Sequence, residues 1–369
     1  MEISVFFYIL ASFAIVNCVY YLFFSNVGFA KITAPKGKLT QAVSVIVCSK
    51  NEQENLKVLV PLLLEQNHPD FEIILINDAS IDDTREVIEN FMSQDHRVKF
   101  VNVVNNESFW GNKKYALTLG IKKAVNDHLV FIDADCVPNS KEWLAIMAKH
   151  LSQEKSIVLG YGGYKKVKNS LLNALIRYET AFTAIQYFSY AMRGNPYMGV
   201  GRNLAYTATQ FYESSGFMSH MKVLGGDDDL FVNQSATNSN TAVSLNEESF
   251  TTSQPKTQWK KWWKQKKRHI NTASHYKWKH KLLLGIFYIS QIGFYISAIL
   301  ALIFGINWLL ILGIILFRYL IFWIVMGKGM SRFRESDITI LLPFLEILLI
   351  GTQLALFISN MGHRPKQWN

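Results

Sequence analysis

Cysteine is scarce in this chain: Cys18, Cys48 and Cys136 are the three in 369 residues. Their spacing matches neither a disulfide framework nor a zinc-binding set, so they read as small buried hydrophobes of a reducing compartment. Charge is scarce as well, at 18% of residues against 50% hydrophobic, which is apolar for a soluble enzyme. There is no internal repeat and no low-complexity segment. Acidic residues are missing from one whole stretch: Lys256 to Lys281 holds ten Lys or Arg and no Asp or Glu. The remainder balances at 28 basic against 28 acidic residues, so this stretch carries the entire net charge of +10. Basicity confined to one segment argues against nucleic acid as a partner, because a nucleic-acid-binding domain spreads its charge over a face. The first apolar run, Val5–Phe24, also lacks the basic residues before it and the small-residue cleavage site after it that mark a signal peptide.

What is present suits a membrane protein. The length leaves room for a catalytic domain of about 200–250 residues and several membrane helices. Val5–Phe24 is long enough to span a bilayer, and Lys31, Lys36 and Lys38 behind it place the next domain in the cytosol by the positive-inside rule. Three more apolar runs follow, Leu282–Phe304, Ile306–Met326 and Ile338–Ser359, with Arg318 and Glu346 as their charges. Such charges are costly in lipid and face protein or pair with each other. Between the second and third of these runs, Lys328, Arg332 and Arg334 mark a cytosolic loop. Pro343 and Glu346 leave a choice for the last run: it spans, which puts Arg364 and Lys366 outside, or it lies in the interface or re-enters. The expected blocks are an N-terminal membrane helix at 1–28, a cytosolic catalytic domain at 40–255, a basic aromatic interface segment at 256–281 and C-terminal membrane helices at 282–360. An integral protein of a bacterial inner membrane fits this layout.

The catalytic block alternates between strand and helix. Val43–Cys48, Glu72–Asn77, Val98–Val103 and Leu129–Asp133 are short runs rich in Val, Ile, Leu and Phe, as buried parallel strands are. Helical stretches lie between them at Glu54–Glu65, Asp82–Ser93 and Tyr115–Val125. This rhythm predicts an α/β doubly wound sheet with ligands at the carboxyl ends of the strands.

Five polar constellations sit at or after those strands. The first strand releases Ser49, Asn51 and Glu52 into a loop. The second delivers Asp78, followed by Ser80 and Asp82, which suit a helix cap; Asp78 can accept from a base or ribose, or all these acids can be turn residues. In Phe131-Ile-Asp-Ala-Asp-Cys-Val-Pro138, the strand-to-loop break lets Asp133 and Asp135 reach one site. Few hard oxygen ligands suit Mg²⁺ or Mn²⁺ shared with a diphosphate. Gly225-Gly-Asp-Asp-Asp-Leu-Phe231 crowds three acids, whose repulsion raises at least one pKa unless a cation or hydrogen bonds compensate. A general base beside an acceptor explains the crowding, and a solvated loop is the plain alternative. Last, Gln258-Trp-Lys-Lys-Trp-Trp-Lys-Gln-Lys-Lys-Arg-His269 interleaves Trp with Lys and Arg, as a segment at anionic lipid headgroups does.

In this order, from about Ala42 to His269, these residues resemble the membrane-anchored branch of the family 2 glycosyltransferases. Ser44–Glu52 is similar to that family's opening strand and Asn77–Thr84 to its Asp-Ala-Ser-x-Asp-x-Thr stretch, whose aspartate contacts the uracil. Gly111-Asn-Lys-Lys-Tyr-Ala-Leu117 resembles its Gly-Lys-x-x-Ala-Leu stretch with one residue, Asn112, inserted. Asp133-Ala-Asp135 resembles its Asp-x-Asp pair, and Val200-Gly-Arg-Asn-Leu-Ala-Tyr206 its Gly-x-Asn-Leu-Ala-Tyr element by the acceptor. The resemblance implies a glycosyltransferase A-type fold, inversion by single displacement, and a nucleotide-sugar donor, UDP-linked. It implies nucleotide contacts from Glu52, Asp78, Lys113, Asp133, Gln265 and Arg268, and Mn²⁺ or Mg²⁺ on Asp135. It implies Asp228 as the catalytic base, with Asn203, Asp227 and His269 on the acceptor side. The family's closing Gln-x-x-Arg-Trp fits two registers. Gln265 to His269 keeps the arginine and loses the tryptophan, whereas Gln258 to Trp262 keeps the tryptophan and has Lys261 for arginine. Arg binds a diphosphate bidentately, which favours the first. The acceptor is then a lipid or a glycan, with membrane lipids as further partners. A nucleotidyltransferase of similar sheet, and a membrane scaffold with an inactive transferase domain, are the competing readings.

Overall fold

The structure, a computed structural model, describes residues 5–32, 41–104 and 113–362, apart from the side chains of 268–271 and 361–362. Lys36, Lys38, Gly111, Asn112, Arg364 and Lys366 lie outside the described residues, and so do the side chains of Arg268 and His269. The chain runs α1 (Val5–Phe29), β1 (Val43–Ser49), α2 (Gln53–Leu64), β2 (Phe71–Asp78), α3 (Thr84–Gln94), β3 (Val98–Val103), α4 (Lys113–Lys123) and β4 (His128–Phe131). It continues through β5 (Cys136–Pro138), α5 (Trp143–His150), β6 (Ile157–Leu159), β7 (Gly162–Tyr164), α6 (Leu171–Met192), β8 (Leu204–Thr207), α7 (Ala208–Glu213) and α8 (Asp229–Ser235). β9 (Thr241–Val243), β10 (Thr251–Ser253), α9 (Trp259–Ala273), α10 (Trp278–Ile303), α11 (Trp308–Arg332) and α12 (Leu342–Gly362) complete it.

Two compact units emerge. One comprises Ile32–Val167 and Tyr190–Tyr276, the other Met1–Lys31, Lys168–Ser189 and Lys277–Arg364. In the first, a seven-stranded sheet has the order β3-β2-β1-β4-β8-β6-β9. β1 pairs in parallel with β2 on one side and β4 on the other, residue by residue from Val43. Strands flanked on both edges and covered on both faces need apolar side chains in both directions, which is why β1 and β2 read as unbroken hydrophobic runs. Val45, Val47, Ile73 and Leu75 pack with Leu56, Leu59 and Leu63 of α2, Ile88 of α3 and the fully buried Trp143 of α5. Because β2 and β3 lie to one side of β1 and β4 to the other, strand order reverses between β1 and β4, the switch point at which doubly wound sheets bind ligands. A second sheet, β5-β10-β7, pairs β10 antiparallel with β5 and parallel with β7.

Strand β4 stops at Phe131, two residues before the expected end at Asp133. A turn follows, in which Cys136 N–H donates to the Asp133 carbonyl at 3.0 Å. The shortening matters, because Asp133 and Asp135 then belong to a turn rather than to an alternating strand.

The second unit holds four helices long and apolar enough to cross a membrane, Val5–Phe29, Trp278–Ile303, Trp308–Arg332 and Ser336–Asn360. α1 packs against both α10 and α11. The last run is a continuous helix from Leu342, with Pro343 in its first turn, where proline removes no helical hydrogen bond. Glu346 does not break it either, since it pairs with Arg318 within the bundle. Arg318 Nη1 donates to Glu346 Oε2 at 2.6 Å, its Nη2 to Tyr21 Oη at 2.8 Å and to Asn17 Oδ1 at 2.9 Å. Gln291 and Tyr295 close on the same carboxylate. The expected block 40–255 takes in one segment that clusters elsewhere: Lys168–Ser189, most of α6, belongs to the unit of apolar helices. There Arg177 pairs with Glu335 and Asp337.

Candidate active site

The first two loops after the sheet brace each other. Asn51 and Ala79 both adopt left-handed backbone (φ 57° and 51°), which turns each chain sharply off its strand. Asn51 N–H donates to Ser80 Oγ at 3.0 Å, Ile81 N–H to Asn51 Oδ1 at 2.9 Å, and Glu52 N–H to Thr84 Oγ1 at 2.8 Å. Asp82, expected as a cap, accepts from the Thr84 N–H and hydroxyl. Asp78 ends β2 beside this brace, and burial raises its pKa against the pull of Lys50 and Lys113. Burial also raises that of Glu52, opposed by the hydrogen bond from Asn55.

At the switch point a cavity is lined by Cys48, Lys113, Asp133, Gly201, Tyr206 and Asp227, among others. Lys113 Nζ stands 2.7 Å from Asp133 Oδ1 and 3.0 Å from Asp227 Oδ2. Burial alone would lower the lysine pKa, but the two carboxylates outweigh it and raise it. So Lys113, Asp133 and Asp227 meet across three separate segments.

The turn at 133–136 brings ligand atoms of Asp133, Asp135 and Cys136 within 4.8 Å of one another. The donor set fits a hard divalent cation through the two carboxylates. Burial, then the charge of Asp133, raises the pKa of Asp135, as expected of a buried carboxylate beside another. The thiol is not needed: burial holds the Cys136 pKa well above its usual value, and its Sγ lies 2.8 Å from Ser253 Oγ.

The acidic turn distributes its three carboxylates differently from expectation. Gly225 and Gly226 both have positive φ (79° and 83°), a conformation that side chains disfavour, and the chain reverses there before α8. Asp227 faces the cavity. Asp228, expected as the base, uses both oxygens on backbone: Oδ1 accepts from Asp229 N–H and Oδ2 from Gly201 N–H, each at 2.7 Å. Burial, then the neighbouring charges of Asp227 and Asp229, pushes its pKa up to about 7. Asp229 accepts from Thr272 Oγ1 and, at 2.8 Å, from Tyr276 Oη, which ties the turn to the C-terminal end of α9.

Asn203, expected on the acceptor side, is fully buried. Its Oδ1 accepts from Trp143 Nε1 at 3.0 Å, and its Nδ2 donates to the carbonyls of Tyr161 and Ser249 at 2.8 and 2.7 Å. These bonds use both of the amide's donors and engage its oxygen on the core, so Asn203 pins its turn. α9 carries Gln265, half-buried, and the backbone of Arg268 and His269. In the competing register Trp262 is a core residue at 1% exposure and Lys261 points to solvent.

Lys114 is a further residue that shapes the site. This lysine, buried in α4, donates from Nζ to the carbonyls of His220 (2.7 Å) and Val223 and so holds the segment leading into the acidic turn. Burial lowers its pKa to about 8. Two adjacent lysines gave no signal in sequence as to which faced the site.

A doubly wound sheet with a carboxylate pair in the turn after its fourth strand, facing an acid turn across a lysine, is the architecture of a glycosyltransferase A-type enzyme. Residues 44–223 match the family model "Glycosyl transferase family 2", and that stretch is a family 2 glycosyltransferase domain. Among curated proteins, it is 34% identical over 125 residues to the poly-beta-1,6-N-acetyl-D-glucosamine synthase of Staphylococcus epidermidis, covering 33% of this chain and 29% of that one. It is 33% identical over 120 residues to the 4,4'-diaponeurosporenoate glycosyltransferase of Staphylococcus haemolyticus, covering 32% and 31%. The chain thus spans under a third of the length of these relatives. Among solved structures, it matches the mannosyltransferase PcManGT of Pyrobaculum calidifontis, bound to GDP-Man and Mn²⁺, with a TM-score of 0.62 at 15% identity over 95% of this chain and 99% of that one. That likeness is one of fold.

Proposed function

We propose that the protein transfers a sugar, with inversion, from a UDP-sugar to a lipid or glycan acceptor at the cytosolic face of a membrane. The observation that carries this reading is the meeting of Asp133, Asp135, Lys113 and Asp227 at the sheet's switch point. Asp78 and Glu52 receive the nucleoside. Asp133 and Asp135 would hold Mn²⁺ or Mg²⁺, which supplies positive charge for the departing diphosphate when bound. Lys113 adds fixed cationic charge there, the preorganised electrostatics on which such transfers depend, and Arg268 is the second cation of this reading. The acceptor oxygen forms its bond to the anomeric carbon as the bond to the diphosphate breaks, and its proton passes to a carboxylate of the acidic turn.

Asp227 is the better placed proton acceptor, because it opens on the cavity while both Asp228 oxygens are engaged by backbone N–H groups. Asp228 remains a second reading on one observation, its pKa of about 7, which suits a base near neutral pH. The orientation rests on the basic flanks of the apolar segments. A cysteine placed at the exposed Asn169 should resist labelling from outside intact cells, and efficient labelling would reverse the topology.

The test of the reaction is to offer a panel of nucleotide sugars to the purified protein, with Mn²⁺ or Mg²⁺, with and without membrane lipid extract. Release of a nucleoside diphosphate from one sugar nucleotide is expected. Pyrophosphate release would indicate nucleotidyl transfer, and no turnover of any donor would favour an inactive scaffold.

A further inference from the structure

Arg202 is left over from that chemistry, although the fold takes care to hold it. It is the middle residue of the short helical turn Gly201–Asn203, whose two ends are fixed by Asp228 and by the core bonds of Asn203. Its own carbonyl accepts from Thr251 Oγ1 at 2.9 Å. The side-chain stem lies across Gly162, where a Cβ would stand 2.7 Å from Arg202 Cγ and 2.9 Å from its Nε. The guanidinium then rests over the Tyr164 ring, 4.5 Å from its centre.

Among the described residues, no carboxylate pairs with Arg202, and its guanidinium donates no hydrogen bond. The residue as a whole is half-buried. An arginine fixed in place, stacked on an aromatic face and out of ion-pair contact with any described carboxylate is a receptor for an oxyanion. Its planar fork matches two oxygens of a phosphate, and its weak hydration makes that exchange cheap. We propose that Arg202 is an anion-binding residue that takes a phosphate group, supplied either by the donor's diphosphate or by a phosphate on the acceptor. The two sources rest on the donor and acceptor reading above; the anion site itself does not.

The full-length protein in detergent is titrated with UDP in the presence of Mn²⁺ and, separately, with a long-chain alkyl monophosphate. Arg202→Ala is expected to weaken at least one of these by tenfold or more. Loss on UDP alone assigns the donor, and loss on the alkyl monophosphate alone assigns the acceptor. Arg202→Lys should recover part of the loss. Gly162→Ala, which crowds the stem and leaves the charge, should weaken the same probe. A folded Arg202→Ala protein that binds both probes within twofold of the parent overturns the proposal. If that variant fails to fold, Arg202→Lys and Gly162→Ala decide, and parent-like binding by both overturns it equally. A parent that binds the alkyl monophosphate but no UDP contradicts the UDP-sugar reading and leaves the anion site standing; a parent that binds neither contradicts both.

Discussion

Both units of this protein bury charge, and they treat it in opposite ways. In the helical unit the charges are closed upon one another: Arg318 is satisfied by Glu346, Asn17 and Tyr21, and Glu346 also accepts from Gln291 and Tyr295. In the α/β unit they are only partly matched. Asp133 and Asp227 share the one cation of Lys113, Asp135 crowds against Asp133, and Arg202 has a stacking partner but no carboxylate in ion-pair contact among the described residues. A closed network fixes how helices fit, because any change of register would strand a charge in an apolar medium. An open one has strain that a ligand relieves. The same residue types therefore serve as structure in one unit and as binding capacity in the other.

That contrast breaks first at Asp135. Asp135→Ala should leave the fold intact and remove metal-dependent UDP binding, a loss of several kcal/mol, read by titration of UDP with and without Mn²⁺. Next is Arg318. Arg318→Ala should destabilise the helical unit by about 3–5 kcal/mol, because it leaves Glu346 buried without its partner, whereas Arg318→Met with Glu346→Leu should cost far less; thermal unfolding in detergent separates the two. If the double variant is as unstable as the single, the pair does more than close a charge network. Within the acidic turn, Asp227→Asn should slow transfer by about 10²–10⁴-fold while UDP binding persists. A larger loss from Asp228→Asn than from Asp227→Asn would restore Asp228 as the base. The pH profile sharpens the same choice. A carboxyl must be ionised to accept a proton, so with Asp228 as base the rate falls as pH drops through about 7. The smallest expected contrast lies in α9, where Arg268→Ala should slow transfer more than Lys261→Ala, and the reverse ranking would select the register ending at Trp262.

Much of this was legible because the relevant signals are local. β1 to β4 announce themselves through apolar runs that only strands buried on both faces require, and Val98–Val103 appears with its expected bounds. The apolar spans were equally plain, and the notion that Arg318 and Glu346 pair is borne out. α6 was missed because Asn173, Arg177, Glu179 and Gln186 interrupt its hydropathy, and its partners Glu335 and Asp337 lie about 160 residues away. Within the site, sequence order located the acids but not their directions. Whether Asp227 or Asp228 meets the cavity depends on the Gly201 N–H that captures Asp228, a contact across 27 residues. The surroundings of Asn203, which the resemblance sets on the acceptor side, were hidden for the same reason: Trp143, Tyr161 and Ser249 reach it from 42 to 60 residues away.

The measurement that bears most directly on the open-charge account is calorimetric titration of UDP into the parent protein and into Asp135→Ala, each with Mn²⁺ and with chelator. The account predicts tight binding by the parent in Mn²⁺, weak binding in chelator, and an Asp135→Ala protein of unchanged melting temperature that binds equally weakly in both. Metal-independent UDP binding by the parent, or Mn²⁺-enhanced binding that survives Asp135→Ala, would contradict it.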